Sequence, residues 1–193
     1  MRGYGSPRPA LVIVDVQNAI DHPDWARHGP RNHPEAEARM TQLLAAWRRR
    51  TLPIYHVRHD SREAASHYRP GQPGNEFKAA VQPLAGETVV AKQTNSAFIG
   101  TGLEPLLRTN GHTVLVIAGV ITNNSVEATV RMDGNLGFET YLVEDACFTF
   151  ARPDWNGRAR TAEEVHAMSL ANLSGECCEV IRTGEAVRRL CGP

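Results

Sequence analysis

Two opposite charges stand where apolar runs end. Asp15 closes the run of residues 10–14, and Lys92 follows Val89-Val90-Ala91. A carboxylate in such a place is costly unless it is paired or hydrogen-bonded. Taken alone, Asp15 could equally cap a helix and Lys92 could be a surface lysine leaving a strand. Together at one sheet edge they would make a buried ion pair with coupled titration. A third group lies in Gly119-Val-Ile-Thr-Asn-Asn-Ser-Val-Glu-Ala-Thr129. Gly119 lets the chain leave a strand tightly, Thr122, Asn123 or Asn124 can cap a helix, and Ser125 falls in its first turn. A helix N-terminus offers unpaired N–H groups and partial positive charge, which suit an oxyanion. At an arbitrary strand–helix junction, however, Ser125 would be only a polar first-turn residue.

Whether these groups meet depends on the elements that carry them. Residues 10–14 are continuous and β-branched, as in a strand buried on both faces. Residues 34–50 predict a helix, with Pro34 in its first turn, Ala38, Leu43, Leu44 and Trp47 at helical spacing, and a basic end. Further strands are expected at residues 52–57, 88–91, 113–118, 139–143 and 178–181. Helices are expected at 101–110, 123–136 and 160–172, the last with Thr161 and Glu164 as a capping box. Residues 61–86 form a Gly- and Pro-rich loop of a length usually tied to function. Strand–helix alternation implies a three-layer Rossmann-like α/β fold, a mainly parallel six-stranded sheet with helices on both faces, in one domain over residues 1–193. Crossover handedness then brings the strands' C-terminal ends, and with them Asp15, Lys92 and Ser125, to the edge where such sheets bind ligands.

Composition narrows the function class. A chain of 193 residues, 41% apolar and 22% charged, can bury a substantial core. Basic and acidic residues balance at 21 each, which removes the electrostatic case for nucleic acid or an anionic membrane as main partner. The first apolar run is too short for a signal peptide, and no stretch approaches the ~18 apolar residues of a spanning helix. A soluble cytoplasmic protein is the expectation. Cys147, Cys177, Cys178 and Cys191 show no C-x-x-C pair and read as reduced thiols.

Three blocks carry a resemblance. Leu11-Val-Ile-Val-Asp-Val-Gln17, then Lys92-Gln-Thr-Asn-Ser-Ala-Phe98 with Gly100-Thr-Gly-Leu103, then Gly119-Val-Ile-Thr122 with Ser125-Val126 resemble, in order, the isochorismatase-like hydrolase family. The resemblance covers about residues 10 to 150, and the blocks are specific together though weak singly. It implies a cis peptide between Val120 and Ile121, Asp15 as general base, Lys92 as electrostatic partner, Ser125 as nucleophile, and the N–H groups of Ile121 and Ser125 as oxyanion hole. In the amidases of that family the position of Ser125 is normally cysteine. A thiol near pKa ~8.5 gains thiolate readily, whereas a serine hydroxyl must lose its proton during attack. Serine here fits a naturally weaker nucleophile first, and otherwise an engineered replacement or a reaction without covalent attack, as in the family's vinyl-ether hydrolases.

The expected activity is hydrolysis of a small amide or related C–N bond by acyl transfer. The alternatives are non-covalent hydrolysis of an isochorismate-like enol ether with Asp15 as acid, and a catalytically silent binding protein. Gln17, Trp25, His59 and Phe98 are candidate substrate contacts. His56 and His59 have a metal-like spacing, and the metal-dependent nicotinamidases of the family hold an ion nearby. Their aspartate precedes the histidine, however, whereas Asp60 follows His59, and residues three apart on a strand face opposite sides. No metal and no cofactor is therefore expected. Asp145 and Thr149 are given only loop hydrogen bonding. Family members commonly self-associate, so the resemblance implies a homo-oligomer, a dimer or tetramer.

Overall fold

The computed structural model describes residues 8–191, so the residues before Arg8, on which part of the leader reading rests, lie outside it. In chain order the elements are β1 (Ala10–Val14), α1 (Ala36–Arg49), β2 (Ile54–His59), β3 (Thr88–Lys92), α2 (Leu103–Thr109), β4 (Val114–Val120), α3 (Glu127–Asn135), β5 (Glu139–Phe148), β6 (Arg152–Pro153), β7 (Ala159–Arg160), α4 (Ala162–Leu173), β8 (Glu179–Ile181) and α5 (Thr183–Leu190). Six strands form one sheet in the order β3-β2-β1-β4-β5-β8, with every neighbouring pair parallel. β6 and β7 make a separate antiparallel hairpin.

The apolar runs dictate this arrangement. All five residues of β1 and all seven of β4 are buried, as strands covered on both faces must be. Alternate side chains divide the core: Leu11 and Ile13 pack with Met40, Leu43, Leu44, Trp47 and Ala186 under α1 and α5. Val12 and Val14 pack on the other face with Leu103, Leu107, Val130 and Leu173 of α2, α3 and α4. From β1 the sheet grows through β2 to β3, and the chain then returns to β4 on β1's other side. The crevice between β1 and β4 is thus the switch point where ligands of such sheets sit. At its floor Gly119 has φ +138°, and a Cβ there would lie 2.3 Å from the Val14 carbonyl oxygen, so only glycine fits.

Several elements differ from the sequence expectation, among them the unanticipated β6–β7 hairpin. β5 runs to Phe148 rather than to residue 143, because between the pairs Ile117↔Leu142 and Gly119↔Cys147 the register shifts, with residues 143–146, Glu144 and Asp145 among them, set against Ala118 alone. The helix expected to start at residue 123 opens instead as a wider π-helical turn, Thr122–Val126, and becomes α-helical at Glu127. α5 was not anticipated; the backbone N–H and the hydroxyl of Thr183, at its start, both donate to Asp145. Among the described residues no helix is long and apolar enough to cross a membrane.

One buried acid makes stability depend on pH. Asp133 of α3 is fully buried, its Oδ1 accepts from the Thr140 hydroxyl at 2.9 Å, and its Oδ2 has no partner. Burial pushes its pKa from the ordinary 3.8 up to about 8. Between those values the native state holds a proton that the unfolded chain releases, so this group makes stability fall as pH rises. Asp133→Asn is expected to flatten the decline in Tm between pH 5 and pH 8. Melting curves of both proteins at the two pH values check this, and parallel declines would refute it.

Candidate active site

The site begins with backbone geometry. Asp15 adopts φ 56°, a left-handed conformation that aspartate tolerates better than most residues. Its N–H still bonds the Val57 carbonyl at 3.0 Å, so the turn begins immediately at the strand end. Lys92 ends β3 beside His59 of β2. Its side chain lies in the core, with the residue only 1% exposed. Three acceptors compensate that burial. Lys92 Nζ donates to Asp15 Oδ2 at 2.6 Å, to the Thr94 carbonyl at 3.0 Å and to Ser125 Oγ at 3.3 Å. All three ammonium hydrogens are thereby used.

Burial raises the Asp15 pKa above the ordinary carboxylate value, against the opposing Lys92 ammonium and the nearby Ser125 hydroxyl. Its second oxygen, Oδ1, is buried without a hydrogen-bond partner. The carboxylate thus has one oxygen fixed by lysine and one free to exchange a proton. Ser125 sits in the π-helical turn, 8% exposed. The Val120–Ile121 peptide just before that turn is cis. Among the described residues the Ile121 N–H donates to no backbone carbonyl. A hydroxyl, a base, a buried cation and a free N–H can together carry nucleophilic attack on a carbonyl.

A pocket of about 250 Å³ encloses Asp15 and Ser125. Trp25 and His59, both expected as substrate contacts, line it. Trp25 is held by a hydrogen bond from Nε1 to the Ala19 carbonyl at 3.1 Å, edge-on to Tyr68 and stacked on Phe150. His59 is kept neutral by burial, which outweighs the pull of Asp15, and its Nδ1 has no partner. Residues not anticipated from sequence complete the wall: Ser61, Glu63, Ser66 and Tyr68 from the long loop, and Asn95 and Asn124. Burial first, then the Asp15 charge, holds the Tyr68 phenol well above its usual pKa and therefore protonated.

Two expected contacts lie elsewhere. Gln17 is fully buried, and its amide is spent on the backbone: Nε2 donates to the carbonyls of His59 at 3.0 Å and Asn75 at 2.8 Å, while Oε1 accepts from the His59 N–H at 2.7 Å. It ties β2 to the long loop and has nothing left for a ligand. Phe98 stacks on Phe138 with ring centroids 5.9 Å apart, inside the core beneath α2 and α3. The paired-histidine metal reading also separates: His56 is fully buried and bonds Glu87 at 2.8 Å, while His59 faces the pocket. Cys147 is a buried core thiol that does not line the pocket.

Known proteins are similar to this chain in sequence and fold. The isochorismatase domain model matches residues 9–185. An isochorismatase-family protein of Chromobacterium violaceum superposes with a TM-score of 0.92 at 61% identity, over 97% of this chain and 95% of that one. YrdC, an isochorismatase family protein of Bacillus subtilis, is 38% identical over 93% of this chain and 95% of its own length. Maleamate amidohydrolase of Pseudomonas putida is 40% identical over 74% of this chain and 73% of its own. With the domain match spanning nearly the whole chain and a solved relative superposing over 97% of it, this protein belongs to the isochorismatase family and is a hydrolase.

Proposed function

We propose that this hydrolase cleaves a small amide or related C–N bond by acyl transfer to Ser125. The observation that carries the reading is the single Lys92 ammonium within hydrogen-bond distance of both Asp15 and Ser125 in one pocket that Ile121, with its free N–H, also lines. The likeness to an amidohydrolase supports it. In this scheme Ser125 Oγ attacks the amide carbonyl and its proton passes to Asp15 Oδ1. The N–H groups of Ile121 and Ser125 hold the tetrahedral oxyanion. Collapse breaks the C–N bond, and Asp15 returns the proton to the departing amine. Water then attacks the acyl-serine with Asp15 again as base, releasing the acid and restoring the hydroxyl. Lys92 holds the carboxylate in place and favours its ionised form.

A second reading is supported by the raised pKa and unpartnered Oδ1 of Asp15, which would suit a proton donor to an enol ether. Turnover of small amides, ureides and isochorismate, measured in parallel for this chain and for Ser125→Cys, separates the two. Acyl transfer predicts that cysteine raises amide turnover about tenfold or more, because a thiol ionises far more readily. Cleavage of the enol ether alone, unaffected by substitution at position 125, would overturn it. Silence of both proteins on every substrate would favour a binding protein on the same fold.

A further inference from the structure

Outside the pocket, the bulge of β5 turns Glu144 toward two imidazoles that the reaction does not use. His33, Glu144 and His166 place one donor atom each within 4.8 Å of one another. Glu144 Oε2 lies 3.6 Å from His33 Nε2 and 3.8 Å from His166 Nε2. Ligand atoms about 2.0–2.1 Å from a tetrahedral zinc ion stand about 3.3 Å apart. The two Glu144 pairs need to close by a few tenths of an ångström, and the two imidazole donors, within 4.8 Å of each other, must also draw together for the set to become a ligand shell.

The surroundings already orient each donor. Nδ1 of His33 lies 3.2 Å from the Glu144 carbonyl and 3.0 Å from the Cys147 carbonyl. Carbonyls only accept, so Nδ1 carries the hydrogen, which leaves Nε2 as the ring nitrogen that can offer a lone pair to an ion in the cluster. Nδ1 of His166 is bonded to the Thr122 hydroxyl at 2.8 Å. Its Nε2 is buried with no partner, on a side chain only 6% exposed. An orphaned buried nitrogen calls for an explanation, and a bound ion supplies one. Arg182 takes the other oxygen of Glu144, Oε1, at 2.8 Å and leaves Oε2 to face the imidazoles. Histidine ligands whose second nitrogen bonds a carbonyl or hydroxyl have the support that metal-bound imidazoles typically show.

We propose that His33, Glu144 and His166 form a binding site for one divalent cation of the zinc class, with water completing the shell. Two imidazoles and one carboxylate suit zinc, cobalt(II) or nickel rather than calcium or magnesium, which take oxygen ligands. Partly exposed His33 gives the ion a way in. Through Thr122 the ion would brace α4 against the turn that follows Ile121. The cluster does not line the Asp15–Ser125 pocket, and the proposal does not depend on the acyl-transfer reading.

The test uses the chelator-stripped full chain, with zinc followed by calorimetry and cobalt(II) by its visible absorption. His33→Gln and Glu144→Gln remove single donors on partly exposed side chains. His67→Ala removes the exposed His22, Asp24 and His67 cluster, the other group of such donors among the described residues. One equivalent of each metal is expected, with intense four-coordinate cobalt bands and a zinc-dependent rise in Tm of several degrees. Affinity should fall at least tenfold in His33→Gln and Glu144→Gln and stay unchanged in His67→Ala. The absence of stoichiometric binding, binding unaffected by both donor substitutions, or binding lost only in His67→Ala would each overturn the proposal. Melting curves of the metal-free variants confirm that each is folded when the comparison is made.

Discussion

Asp15→Asn is expected to lower kcat by about 10²- to 10⁴-fold with KM changed only a few-fold, the usual scale for losing a positioned general acid or base. Asparagine keeps the shape of the side chain and an acceptor for Lys92, but it cannot take a proton at the position of the free Oδ1. The same substitution should erase the acidic limb of the pH–rate profile. In the native protein that limb should lie above the ordinary carboxylate value of 3.8, because burial raises Asp15. Since the carboxylate titrates with Lys92 beside it, the observed midpoint belongs to the pair. A variant within tenfold of native turnover would remove Asp15 from both readings of the chemistry at once.

Lys92→Met should be the most destabilising change at the site, by roughly 3–5 kcal/mol near pH 8, the scale of leaving one partner of a buried ion pair uncompensated. Methionine preserves length and apolar volume, so the loss reports the charge. Asp15, 4% exposed, would then face burial without its cation, and its pKa would climb further. A carboxylate whose folded-state pKa is raised holds a proton that the unfolded chain releases above about 3.9. Stability therefore falls as pH rises through that window, and the variant should melt closer to the native protein at pH 5 than at pH 8. Its activity should shift in the same sense, with the acidic limb displaced to more alkaline pH because Asp15 must first ionise. Melting curves and pH–rate profiles read both effects. A destabilisation independent of pH would assign Lys92 to packing alone.

The elements that meet these three residues were readable because their signals are local. An unbroken β-branched run marks β1 to the residue, and the apolar run into Gly119 marks β4, which continues one residue past it to Val120. Strand ends plus crossover handedness then place Asp15, Lys92 and Ser125 at one edge without any contact being known. The direction of side chains leaving that edge is another matter. Gln17 and Phe98 lie close in sequence to Asp15 and Lys92, yet one turns beneath the long loop and the other into the core. Tyr68, by contrast, reaches the pocket from a Gly- and Pro-rich loop whose path no periodicity specifies. β5 misled for a similar reason: Glu144 and Asp145 look like a strand end, and only pairing with β4 across a bulge keeps them in the sheet. The π-helical turn that opens α3 likewise has no sequence period of its own.

The placement of the three tryptophans gives the protein a built-in optical reporter. Trp47 is sealed in the core with its Nε1 bonded to the Pro9 carbonyl at 2.9 Å, and Trp155 stands 94% exposed near the β6–β7 hairpin. Trp25 alone of the three lines the pocket that holds Asp15 and Ser125. Aqueous quenchers reach Trp155 first and leave Trp47 dark to them, so a change in emission on adding a small molecule under quenching conditions reads occupancy around Trp25. Ligands can therefore be screened by light, without a label and before any turnover assay exists.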